Sequence, residues 1–191
     1  MMRSTLVDTR SAAARRPVHL RTVADLAAEV ERVAEAAAAS RVRTLGNWSA
    51  AQVLWHLGRL MEFSLGGFPF RYPWPVRWPA RLLRVLSWRW LLALAFRPGF
   101  RNPAVAAALE PQPAVSLAEA VCYLRGQLER ISSGERMTAA NPSMGPLSHE
   151  QWVEVHLRHA EMHLSFLVFE QDGDCGEPAV AADRGRPLRP G

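Results

Sequence analysis

The stretch Trp152-Val-Glu-Val-His156-Leu-Arg-His159-Ala-Glu-Met-His163-Leu-Ser-Phe166 decides how this chain folds. At 100° per residue, Trp152, His156, His159, His163 and Phe166 fall within a helical stripe about 80° wide. Aromatic rings share that stripe with three imidazoles, so it faces a core that must also satisfy polar groups. Ser148-His-Glu-Gln151 immediately before it is a capping box, opening a helix expected to run to about Gln171.

Three more long helices are expected upstream. Thr22 and Asp25 start the first, with Leu26, Val30 and Val33 at helical spacing, and it ends near Ser40. Residues 41–47 read as a connector. Ser49 caps the second, which carries Val53, His56, Leu57, Leu60 and Ser64 until Gly66 and Gly67 stop it. Ser116-Leu-Ala-Glu119 opens the third, and Gly134 lies just past its end. No stretch alternates with period two. Short links join helices 1–2 and 3–4, and about fifty residues separate helices 2 and 3. The pattern is therefore all-α, a four-helix bundle with one long connection.

That connection, residues 68–115, is rich in Pro, Trp and Arg. Residues 79–96 read as an extra helix with Pro79 in its first turn, and another helical turn follows Pro103. Arg77, Arg81 and Arg84 line one side of it, and Leu82, Leu83, Leu86 and Trp90 line the other. The apolar side is expected to pack on the bundle and close one end of a pocket. The competing reading is a basic amphipathic helix lying on a membrane surface.

A chain of 191 residues with 49% apolar content can bury one full core. The expected layout is a flexible arm over 1–21, a helical bundle over 22–172 and a disordered tail over 173–191. Cys122 and Cys175 lie in unlike contexts, which suggests neither a disulfide nor a cysteine metal site and fits a reducing, cytoplasmic compartment. All 23 basic residues are arginine, which excludes a Schiff-base lysine and a P-loop lysine. The net charge of +5 is spread along the chain, so no nucleic-acid partner is expected. The longest apolar run near the middle, Leu91 to Phe96, is far below the ~20 residues that cross a bilayer.

His159 and His163 are four residues apart, so their rings project from adjacent turns toward one point and can share an ion. His56, on or beside the inward stripe of the second helix, is the candidate third ligand. The competing reading makes each histidine a buried core residue with its own hydrogen bond. His156 shares the stripe one turn earlier, and its role as ligand, pocket residue or core stays open. His19 and His149 look exposed. Glu62, Glu154 and Glu161 are the nearest carboxylates, none clearly inward.

Asn47-Trp-Ser-Ala-Ala-Gln-Val-Leu-Trp-His56-Leu, followed by the H-x-x-x-H of the last helix, resembles the DinB/YfiT-like superfamily of metal-dependent bundles. The resemblance extends to a branch of unknown function through Glu-Phe-Ser-Leu-Gly-Gly-Phe-Pro69, Arg97-Pro-Gly-Phe100, Asn141-Pro-Ser-Met-Gly-Pro-Leu-Ser-His-Glu-Gln-Trp152 and Arg158-His-Ala-Glu-Met-His-Leu-Ser-Phe166. It covers roughly residues 20–170. It implies an up-down-down-up bundle and a three-histidine metal site at His56, His159 and His163. Better-studied relatives are thiol transferases that use a low-molecular-weight bacterial thiol, so a thiol is one implied cofactor.

Imidazole ligands suit zinc, nickel, copper or iron, and zinc, nickel or iron is the expected ion. Three protein ligands leave a position open, which suits a transferase or hydrolase acting on a small molecule. The rival is a non-catalytic bundle with a structural or partner-binding role. A homodimer is compatible with everything in the sequence.

Overall fold

The computed structural model describes residues 7–10, 12, 14–99 and 104–170. Its elements, in order, are α1 (Val23–Ala38), β1 (Val42–Thr44), α2 (Ala50–Gly66), α3 (Trp74–Leu86), α4 (Trp88–Ala95), a 3-10 helix (Ala104–Leu109), α5 (Leu117–Ser132), α6 (His149–Leu164) and β2 (Leu167–Phe169). Among the described residues the chain is therefore mainly helical, with one small two-stranded sheet.

Each long helix opens on the cap that its sequence provides. Thr22, Ser49, Ser116 and Ser148 accept from the amide three residues on, and the side chains of Asp25, Gln52, Glu119 and Gln151 accept from the cap amides in return. α2 ends at Gly67, whose φ of 109° puts it in the region that glycine adopts without strain. The buried faces of α1, α2, α5 and α6 form one core, centred on Leu26, Leu54, Leu57, Leu124, Trp152 and Leu164. α2 packs most extensively against α5 and also meets α6, while α1 contacts both α5 and α6.

The α2–α5 approach depends on Gly58. A Cβ there would lie 2.9 Å from Tyr123 Cδ1 and 3.3 Å from the Leu124 Cα. Helix propensity favours alanine, but overpacking of this kind costs about 1–3 kcal/mol. Gly58→Ala is expected to lower the denaturant midpoint accordingly. An unchanged or raised midpoint would mean that the two helices separate freely.

Three local expectations are corrected. The last helix stops at Leu164 rather than near Gln171, because residues 167–169 pair antiparallel with β1, matching Val42 to Phe169 and Thr44 to Leu167. Pairing gives Leu167 a fully buried place, which a further helical turn would not. The extra helix is two helices: Ser87, with extended backbone at φ −161°, ends α3 and caps α4 by accepting from the Trp90 amide at 3.4 Å. α3 starts at Trp74, so Pro75 occupies the first turn and Pro79 lies inside the helix.

The face of α3 that packs is also not the expected one. α3 buries no residue completely; Ala80 and Leu83 lean on the core while Leu82, Leu86 and Trp90 point outward, the last two at 71% and 68% exposure. Arg84 instead bonds the Pro146 carbonyl, and Arg81 lies against Gly145. The arginine side therefore turns toward the 141–147 loop, and only α4 buries leucines, Leu91 and Leu92. A guanidinium can satisfy a free carbonyl there, which leucine cannot.

Residues 16–20, placed by sequence in the N-terminal arm, lie against the body. The Arg16 amide donates to the Ser165 carbonyl at 3.1 Å, and its guanidinium bonds the Leu167 carbonyl at 2.6 Å and the buried Glu29 carboxylate. Leu20 is buried and its amide donates to Glu161 at 2.7 Å. The expected tail, 173–191, lies outside the described residues. Among the described residues, no helix is long and apolar enough to cross a membrane.

Candidate metal centre

α2 brings His56 to the core from one side, and α6 brings His159 and His163 from another. One ring nitrogen from each of the three lies within 4.8 Å of the others. His56 and His159 are buried, and His163 is partly exposed. The ring centroids stand 4.5–5.0 Å apart in edge-to-face arrangements. The structure thus gathers the three residues that the sequence singled out as ligands.

The surrounding elements fix the rings. The 3-10 helix ends at Leu109, whose carbonyl is left without a helical partner and accepts from His56 Nδ1–H at 2.6 Å. That bond sets the tautomer: the His56 lone pair is on Nε2, which faces His159 Nε2 at 3.2 Å. Two nitrogens each about 2.1 Å from a tetrahedral ion stand about 3.4 Å apart, so this pair already has a shared-ligand spacing. An imidazole whose other nitrogen donates to a carbonyl is the usual outer-shell pattern of a metal-binding histidine.

His159 Nε2 meets the His56 lone pair, while His159 Nδ1 is buried with no hydrogen-bond partner. That orphaned atom costs about 1–3 kcal/mol and leaves this ring without the outer hydrogen bond that His56 has. The donor set fits a borderline divalent ion: three neutral nitrogens, with no carboxylate or thiol in the cluster among the described residues.

Burial also sets the protonation state. It pushes His56 down to about 4, against the partial opposition of the Leu109 hydrogen bond. His159 is held well below the usual histidine range by burial and then by the neighbouring histidines, and His163 by burial and then by His56. All three are neutral near pH 7, the state that can ligate.

Two aromatic residues enclose the site that the sequence reading did not place there. Trp48 stacks on His163 with centroids 5.4 Å apart and 12° between planes, and lies 4.8 Å from His56. It is delivered by the β1–β2 pairing, extended by the Leu45 amide donating to the Phe166 carbonyl at 2.9 Å. Phe96, at the end of α4, stands 5.4 Å from His159. The Asn47-Trp-Ser motif could have pointed to Trp48; nothing local could have pointed to Phe96 or to the Leu109 carbonyl.

The remaining candidates fall elsewhere. His156 is a core residue: Ser64 Oγ–H donates to the Met61 carbonyl at 2.7 Å, so it accepts from His156 Nε2–H at 3.0 Å. Trp152 stacks on His156, and burial pushes it down to about 3. His149 accepts from the Met137 amide at 3.1 Å and is half-buried rather than exposed, while His19 is exposed. Glu62 is held by Arg59 and Tyr123, Glu154 by the Trp88 indole at 2.5 Å and Glu161 by Arg158 and the Leu20 amide. None of these three carboxylates is free to serve the histidines as a base.

A cleft of about 790 Å3 opens beside the site, lined by Arg15, Arg89, Arg97, Phe96 and Met162 among others, but by none of the three histidines. Phe96 belongs both to the cleft wall and to the ring of residues around His159.

A family model described as "Protein of unknown function (DUF1569)" matches residues 13–170. No match to a curated protein or to a solved structure was found.

Proposed function

Since this chain belongs to the DUF1569 family, whose description assigns no reaction, its function has to be argued from its own site, and we propose that it binds one divalent metal ion through His56, His159 and His163. The observation that carries this is the tautomer of His56, fixed by the Leu109 carbonyl so that its lone pair meets His159 Nε2 at 3.2 Å. The fold we assign is the DinB-like one, with α1, α2, α5 and α6 as an up-down-down-up four-helix bundle. The shared core of those four helices supports it.

The reaction class we assign is transfer or hydrolysis on a small molecule, with zinc, nickel or iron as the ion and a low-molecular-weight thiol as one candidate co-substrate. A bound divalent ion supplies a Lewis-acidic position that acidifies a coordinated water or thiol. The chain's own part is to hold three neutral imidazoles in fixed orientation and to keep bulk water away with Trp48 and Phe96. Among the described residues, Glu62, Glu154 and Glu161 are each held by other groups, so none of them is assigned as a general base. The 790 Å3 cleft lies next to the histidines, with Phe96 shared between its wall and the surroundings of His159.

None of the three histidines lines that cleft, which favours a second reading, in which the ion only stabilises the helices. Both readings share one test, the metal content of protein purified without an affinity tag. Close to one equivalent is expected for the wild type and almost none for His159→Ala. Equal content in both would place the ion elsewhere.

A further inference from the structure

We propose that α3 and α4 form a docking face for an anionic lipid surface, a role separate from the metal centre. Ten large hydrophobic residues are exposed among the described residues, and eight belong to this one segment: Trp74, Val76, Trp78, Leu82, Val85, Leu86, Trp90 and Leu94. Trp74, Trp78 and Val85 are 75%, 65% and 77% exposed. On the α3 wheel, Trp74, Val85, Trp78, Leu82 and Leu86 cover an arc of about 120°, with Arg81 about 20° beyond Trp74. The body cannot cover this arc, because α3 meets it through Ala80, Leu83 and Arg84 on the other side.

Charge decides what does cover it. From residue 63 to residue 109 the sequence has no aspartate or glutamate, while it has Arg71, Arg77, Arg81, Arg84, Arg89, Arg97 and Arg101. A second copy docking through a two-fold axis would set this patch against itself. It would bring arginines to arginines with no carboxylate in the segment to separate them. An anionic membrane offers what the face lacks: negative headgroups for the guanidinium fork and an apolar boundary for leucine and tryptophan. Tryptophan prefers that boundary, and long arginine side chains reach out of it to the headgroups. The helices are too short to span, so the contact is peripheral.

The test is co-sedimentation of the full chain with vesicles of phosphatidylcholine alone or with about one-third phosphatidylglycerol, at low and moderate salt. Binding to the anionic vesicles only, weakened by salt, is expected. Arg81→Gln, at the edge of the arc, is expected to lower partitioning about fivefold. Trp78→Glu with Leu86→Glu is expected to reduce it to the neutral-vesicle level. Tryptophan emission of the unmodified protein gives a reading that needs no variant: a blue shift with anionic vesicles and none with neutral ones. No shift and no sedimentation with anionic vesicles at low salt would overturn the proposal. So would a dimer in solution that Trp78→Glu dissociates.

Discussion

Protein stripped of metal is expected to melt about 8–16 °C higher when its preferred divalent ion is added at a thousandfold excess over the dissociation constant. The size follows from mass action: an ion that binds only the native fold adds about 4 kcal/mol at that excess. In a domain of this size each kcal/mol moves the midpoint by about 2–4 °C. The unfolded chain cannot match the native site, because His56 is separated in sequence by more than a hundred residues from His159 and His163. His163→Ala is expected to abolish the rise, whatever it does to the baseline. His149→Ala removes a hydrogen bond to the Met137 amide and is expected to lower the baseline but leave the rise intact. Thermal titration of the three proteins with zinc, nickel and iron checks this. Equal rises in both variants would place the ion away from the histidines.

Acid is expected to unfold the ion-free protein between about pH 6.5 and pH 5, earlier than carboxylate chemistry alone would. The reference value of an unfolded histidine is 6.5, whereas burial pushes His56 to about 4 and His156 to about 3. His159 and His163 are also held well below 6.5. Each folded value is depressed, so the stability these groups carry is complete above 6.5 and is lost as pH falls toward the folded values. In that window the unfolded chain binds more protons than the native one, at about 1.4 kcal/mol per pH unit for each histidine. His56 and His156 together cost about 4 kcal/mol by pH 5, and His159 and His163 act in the same direction, against about 5–15 kcal/mol for the whole stability of a typical domain. Circular dichroism against pH measures it, and adding the ion is expected to move the midpoint lower. A stripped protein that stays folded to pH 4 would contradict the enclosed, neutral state of these rings.

The parts legible in the sequence were those written in local chemistry. Two capping boxes, the cap signals at Thr22 and Ser49 and the 3.6-residue stripe of α6 gave the long helices and the pair His159 and His163, because caps and periodicity act over a few residues. His56 was within reach for the same reason: its phase with Val53, Leu57 and Leu60 turned it inward. What stayed hidden depends on partners far along the chain. The end of α6 is set by β1, more than a hundred residues upstream, and three-residue strands are too short to show alternation. Leu109 enters the site through its carbonyl, which no side-chain pattern can announce. Arg16 reads as a solvated charge until Glu29 is found buried beside it. The outward face of α3 escaped because amphipathicity says that two faces differ, without saying which of them the body contacts.

X-ray absorption at the metal edge of the loaded protein reads whether three histidines share one ion. About three imidazole nitrogens at roughly 2.0–2.1 Å are expected, with that signature lost in His159→Ala. A sulfur neighbour at about 2.3 Å with fewer imidazoles, or a spectrum indifferent to His159→Ala, would contradict it.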